Sequence, residues 1–202
     1  MRKGRQKGFI FVISGPSGSG KTTLLKELLK DRQIKRHFVK SISFTTRPKR
    51  SGERNGRDYF FISEKGFNQE KRAKKILEWT RYLGYYYATP REFIESQLSK
   101  GRHIGLCLDL KGALRIKRLY PERAKTIFVV PPSLQTLRSR IEARCSKTKK
   151  EEIKKRLQLA QEELAVSRKY DYRVFNHNLK QATEGLKKIV LTVINPESET
   201  AV

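Results

Sequence analysis

Residues 15–23 read GPSGSGKTT and follow the apolar run Phe9-Ile-Phe-Val-Ile13 directly. Glycines at 15, 18 and 20 would weaken any strand or helix. Gly15 to Thr22 matches GxxxxGK[ST], with a strand-like run before it and leucines at helical spacing after it, through Leu29. That context gives each residue a physical task. The glycines let the backbone curl so that successive N–H groups point inward at phosphate oxygens. The following helix adds its N-terminal partial positive charge. Lys21 reaches the β- and γ-phosphates, and the Thr22 hydroxyl binds Mg²⁺. Gly15, Pro16, Ser17, Gly18, Ser19, Gly20, Lys21, Thr22 and Thr23 are therefore the expected binding loop for a nucleoside triphosphate, with Thr22 as metal ligand.

The 202 residues suffice for one domain with a real core. Strand-like runs at Phe9–Ile13, Phe38–Phe44, 104–110, 126–130 and 172–175 alternate with helical patterns near 90–99, 111–119, 133–143, 150–168 and 179–194. This alternation predicts an α/β fold, a parallel sheet with helices on both faces. Residues 45–88 break the rhythm. They are rich in arginine, glycine and aromatics and read as an inserted, partly antiparallel α+β subdomain.

Lysine and arginine total 46 against 20 acidic residues, a net charge of +26. Such a surface attracts polyanions, nucleic acid included, but the charge is spread along the chain, which favours a solvated face over a dedicated nucleic-acid site. No apolar run reaches membrane-spanning length, and the basic stretch 1–7 reads as a tail rather than a signal peptide. Cys107 and Cys145 fit no zinc or redox spacing and read as free thiols of a reducing cytoplasm.

The insertion indicates what receives the phosphate. SFTTRPKRSGERNGRDYFF, residues 43–61, sets Ser43, Arg47, Arg50 and Tyr59 close together in sequence, which suits a second phosphate site. Glu78 follows, then Tyr87 and Thr89. A carboxylate can accept two hydrogen bonds from the N1–H and N2 amino edge of guanine.

In order, GPSGSGKTT, TTRPKRSGE, GRDYFFIS, ILEW, YYYATP, LDLKGA, VPPS and the spacing of Arg140, Arg144 and Arg156 make the chain resemble the guanylate kinase family over about residues 8–190. The resemblance implies a P-loop core at 8–42, 90–143 and 157–194, a GMP-binding subdomain at about 43–89, a helical lid at about 144–156, and tails at 1–7 and 195–202. It implies that Ser43, Glu78 and Thr89 hold the guanine base, that Arg47, Arg50, Tyr59 and Tyr87 hold the GMP phosphate, and that Asp109 sits near metal and substrate. Lys21, Arg140, Arg144 and Arg156 would be catalytic, the arginines closing over the triphosphate. The implied reaction is ATP + GMP ⇌ ADP + GDP, with dGMP as a further acceptor, Mg²⁺ as cofactor and purine metabolism as its setting.

This chain departs from the family pattern at Cys107, where a second carboxylate is common, at Cys145, where glycine is usual, and at Ala88. Cys107 is expected in the core, and so is Trp79. His177 is expected as a solvated surface residue. Two other classes of function remain open on the sequence: a peptide-binding module of the same fold that has lost catalysis, and a P-loop kinase with another phosphorylated acceptor. The intact Lys21 speaks against the first. The set Ser43, Glu78 and Thr89 speaks against the second.

Overall fold

In the computed structural model, which describes residues 8–144 and 150–195, the chain runs β1 (Ile10–Ser14), α1 (Lys21–Leu28), α2 (Arg32–Lys35), β2 (Phe38–Lys40), β3 (Phe44–Thr45), β4 (Phe60–Phe61), α3 (Glu64–Arg72), β5 (Ile76–Tyr82), β6 (Tyr85–Pro90), α4 (Arg91–Ser99), β7 (His103–Cys107), α5 (Leu110–Leu119), β8 (Ala124–Val130), α6 (Leu134–Arg144), α7 (Lys150–Ala165), β9 (Tyr172–Phe175) and α8 (Leu179–Ile194). Strands β2-β7-β1-β8-β9 form one sheet, parallel throughout. Strand β1 is central, with Ile13 opposite Cys107 on one side and Ile127 on the other. Because the strands are parallel, the loops that leave their C-terminal ends share one rim, where ligands bind in such sheets.

Side-chain alternation along β1 sorts the core into two faces. Phe11 and Ile13 pack with Leu24, Leu25 and Leu28 of α1 and with Leu186 and Val190 of α8. Ile10 and Val12 pack with Ile94 of α4 and with Ala113 and Ile116 of α5. The alternation of strand runs and helical patterns along the chain therefore forms the expected three-layer arrangement. No helix among the described residues is long and apolar enough to cross a membrane.

Three features differ from the sequence reading, in the strands, in α2 and at Trp79. The Phe38–Phe44 run is two strands, not one. Strand β2 ends at Lys40 in the parallel sheet, and β3 begins at Phe44 in a second sheet ordered β4-β3-β6-β5. The period-2 pattern continues through 41–43 because both halves are half-buried, so periodicity alone does not reveal the break. Helix α2, only four residues long, is fixed by Asp31, whose carboxylate accepts from the amides of Gln33 and Ile34 and meets Lys187 of α8 at 2.7 Å.

The second sheet is partly antiparallel, as expected: β3 runs parallel to β4 and antiparallel to β6, which pairs antiparallel with β5. Leu83 and Gly84, both at positive φ, make the two-residue turn between Tyr82 and Tyr85. Trp79 is not in the core. It is 42% exposed, lies edge-on to Phe67 and Tyr86, and carries the Lys71 ammonium 4.1 Å from its ring centre. It alternates with Glu78, so the charged residue turns inward and the indole outward.

The layers around β7 leave no room for one more carbon. A Cβ on Gly105 would lie 2.7 Å from Leu25 Cδ1 and 2.8 Å from Phe38 Cε1. Gly105→Ala is expected to destabilise the fold by about 1–3 kcal/mol in urea unfolding, with the denaturant slope unchanged.

Candidate active site

The glycine loop is held from outside. A Cβ on Gly15 (φ +134) would meet the Val129 carbonyl oxygen of β8 at 2.6 Å, and a Cβ on Gly20 (φ +100) would clash with the Asn176 amide nitrogen. Both positions demand glycine on conformation and on space. The same Asn176 amide donates to the Ser19 carbonyl at 2.7 Å in a buried setting. Within the loop, Lys21 Nζ donates to the carbonyls of Gly15 (2.5 Å) and Pro16 (2.9 Å). The Ser19 hydroxyl is buried with no hydrogen-bond partner among the described residues. An orphaned polar atom inside a curled, cation-bearing loop fits a bound phosphate chain.

Two expected arginines reach this loop. Arg140 of α6 donates to the Gly18 carbonyl at 3.2 Å. Arg156 of α7 donates to the Ser17 hydroxyl at 2.9 Å, while Glu152 of the preceding turn holds its other nitrogens at 2.6 and 3.0 Å. Arg144 ends α6, but its side chain lies outside the described residues, as do Cys145 and the segment 145–149 of the expected lid.

Cys107 ends β7 and packs half-buried against the core face of α1 and α8, as expected. Its thiol also meets Thr22, so it borders the loop. Burial pushes the thiol up, against the pull of Lys21 and Lys40.

The second polar cluster lies on the other sheet. A register shift in β5 between Ile76 and Glu78 sets Glu78 opposite Thr89 and buries three consecutive side chains. Thr89 Oγ1 donates to Glu78 Oε1 at 2.6 Å. The other carboxylate oxygen, Oε2, lies 3.0 Å from where a Cβ on Gly112 would sit. Gly112 is in the first turn of α5, and its amide donates to the capping carboxylate of Asp109 at 2.8 Å. Asp109, Glu78 and Thr89 therefore converge next to the rim of the parallel sheet. Burial pushes the Glu78 carboxyl up to about 7; the Thr89 bond opposes this and the Asp109 charge adds to it.

Arg47 is 7% exposed and makes a two-pronged pair with Glu53, at 2.8 and 3.0 Å. Its guanidinium lies 5.6 Å from the centre of the Tyr59 ring. Tyr59 meets Tyr87 edge to face at 6.0 Å. The backbone N–H of Arg50 donates to Glu53 at 2.8 Å, while the Arg50 guanidinium forms no ion pair among the described residues. Burial works to raise the Glu53 carboxyl, but Arg47 and the Arg50 amide hold it below the usual carboxylate range. Ser43 is half-buried at the entry to β3 and engages Phe60 through its carbonyl.

Sequence reasoning missed Asn176, Glu53 and Glu163. Glu163 of α7 is pushed up by burial and stands within electrostatic reach of Lys21 and Asp109. For Glu53 the available signal was its place three residues after Arg50. For Asn176 it was the step off the end of β9. His177 is exposed, as expected, and stacks on Phe175 at 6.4 Å.

A lysine-bearing glycine loop on the rim of a parallel sheet, together with a second sheet region that buries a carboxylate, Glu78, and a guanidinium, Arg47, is the arrangement of a P-loop kinase. A sequence model of the family described as guanylate kinase matches residues 7–192. The guanylate kinase of Thermotoga maritima is 43% identical over 184 residues, covering 91% of this chain and 86% of that one. That of Caldanaerobacter subterraneus subsp. tengcongensis is 41% identical over 188 residues, covering 93% and 88%. The crystal structure of guanylate kinase from Anaplasma phagocytophilum superposes with a TM-score of 0.77 at 28% identity, covering 96% of this chain and 89% of that one. The chain belongs to the guanylate kinase family.

Two measurements follow from this geometry. Asn176→Asp puts an acceptor against the Ser19 carbonyl and is expected to weaken triphosphate binding about tenfold or more in calorimetry, with acceptor binding unchanged. Folding raises the Glu78 pKa from 4.5 to about 7, so the folded state loses stability as pH rises between those values. Glu78→Gln, which does not titrate, is expected to be more stable than the wild type without ligand by about 2 kcal/mol at pH 8. That gain fades as pH falls toward 4.5 in thermal melts; a gain independent of pH would contradict the assignment.

Proposed function

We propose that this protein is an ATP:GMP phosphotransferase, ATP + GMP ⇌ ADP + GDP, acting in nucleotide metabolism. The observation that carries the reading is the buried Glu78–Thr89 pair set beside Asp109, one sheet away from an intact phosphate loop. In this reading Glu78 accepts from the N1–H and N2 amino edge of guanine, and Thr89 and Ser43 fix the carboxylate and the base around it. Adenine and the pyrimidines lack that pair of donors, so they leave the buried carboxylate unpaired.

Arg47, Arg50, Tyr59 and Tyr87 hold the acceptor phosphate. Glu53 pre-aims Arg47, which limits the ordering left to do on binding. The acceptor phosphate oxygen is itself the nucleophile and already ionised, so no strong general base is required. The loop amides, Lys21, Arg140, Arg144 and Arg156 hold the triphosphate and offset the repulsion between two anions. Among the described residues no three His, Cys, Asp or Glu side chains gather into a metal cage. Mg²⁺, when bound, would rest on the Thr22 hydroxyl and phosphate oxygens and would neutralise charge on the β- and γ-phosphates. In this reading, closing of the second sheet over the substrates excludes water, which would otherwise take the phosphoryl group.

The test is a coupled ADP-release assay with ATP and Mg²⁺ and with GMP, AMP, CMP or UMP as acceptor. ADP is expected with GMP far above the others. Glu78→Gln is expected to raise KM for GMP about a hundredfold while ATP binding survives. Turnover with another acceptor alone, or equal loss of both substrates in the variant, would overturn the reading.

A further inference from the structure

Helix α1 carries Lys21 and Thr22, and one turn further on it carries Lys26. Lys26 Nζ reaches across to Asp58 Oδ1 at 3.0 Å. Asp58 is already committed on its own side. Its Oδ2 accepts from the Arg54 amide and from Arg57 Nε, both at 3.0 Å. These bonds set the turn that delivers Tyr59, the next residue, to Tyr87 and Arg47. Lys40, at the end of β2, adds a longer contact to the Arg57 carbonyl at 3.4 Å. Lys26 on α1 and Lys40 at the end of β2 both belong to the unit built on the parallel sheet, and Asp58 belongs to the segment that leads into the second sheet.

The two partners differ in exposure. The Asp58 side chain is 11% exposed and the Lys26 side chain 49%. A nearly buried carboxylate fixed by its own loop is a stationary target, and a half-exposed lysine is a tether that can engage and release. A fully buried pair would lock the two layers together instead.

We infer that the Lys26–Asp58 contact is a clasp that draws the acceptor-phosphate residues toward the donor loop, with Lys26 and Asp58 acting as positioning residues for transfer to GMP. The inference rests on the phosphotransferase reading above. It separates these two residues from those that touch substrate: neither is placed on the base, the phosphates or the metal. Their effect falls on how often the two half-sites meet.

The experiment compares Lys26→Met, Lys26→Arg, Asp58→Asn and the double variant Lys26→Met/Asp58→Asn in steady-state kinetics. Lys26→Met is expected to lower kcat about fivefold with KM for ATP unchanged, and to raise the share of ATP hydrolysed without GDP formed. Lys26→Arg is expected to restore most of the rate. The double variant is expected to be no slower than Asp58→Asn alone, since one contact cannot be lost twice. Wild-type rates in Lys26→Met, or losses that multiply in the double variant, would overturn the clasp. Amide exchange over residues 54–59 reads the contact without catalysis: exchange faster in Lys26→Met supports it, and identical exchange overturns it. Wild-type protein that fails to turn over GMP but shows the exchange difference would overturn the phosphotransferase reading and leave the clasp standing.

Discussion

Most of this molecule is arranged around one tight passage, where residues 15–20 turn between the end of β1 and the start of α1. The loop has to present amides inward while touching Val129 on one side and Asn176 on the other, and only glycine fits at both touching points. The Asn176 bond to Ser19 closes the ring of supports from the far strand of the sheet. The direction of α1 follows from that turn, and with it the places of Lys21, Thr22 and Lys26. The parallel sheet thus serves as a frame whose rim holds the loop proposed to take the triphosphate. Rigidity matters here because stabilisation of transferring charge depends on dipoles that need not reorganise.

The site proposed for the acceptor follows the opposite logic. It lies on a smaller sheet with a small core of Phe67, Ile76 and Ala88, and its chemistry rests on a charge kept out of water. Glu78 without a ligand is costly, which its upward pKa shift records. A ligand edge with two donors recovers that cost, and an edge without them does not. In the proposed reading, selectivity comes from an unfavourable group waiting for its partner. Arg47, proposed for the phosphate side, is likewise buried and is kept paired by Glu53.

The sequence made the frame readable because the frame depends on local pattern. The glycine loop announces its own strand and helix, and helices α4 to α8 show clear periodicity. The second sheet was readable as a break in rhythm, but its strand limits were not. Ser41 to Ser43 leave one sheet and enter another without a glycine or proline, so Phe38–Phe44 read as continuous. Trp79 was misplaced because an aromatic in a strand run looks like core, whereas the register shift in β5 buries Glu78 and leaves Trp79 on the opposite face, partly exposed. Charged residues such as Arg47 and Glu78 stood out by type and order. Asn176, Glu53 and Asp58 did not, since what distinguishes them is a partner far away in sequence or a turn whose shape single residues do not reveal.

The proposed function rests on the buried Glu78 carboxyl reading the guanine edge. Calorimetry of GMP binding in buffers of different ionisation enthalpy, from pH 5.5 to 8.5, tests it directly when wild type and Glu78→Gln are compared, since proton release from the nucleotide phosphate is common to both. With a free pKa of about 7, Glu78 should release close to one proton more than the variant near pH 6, falling toward zero by about pH 8.5. Identical proton release in the two proteins across the range would contradict the account.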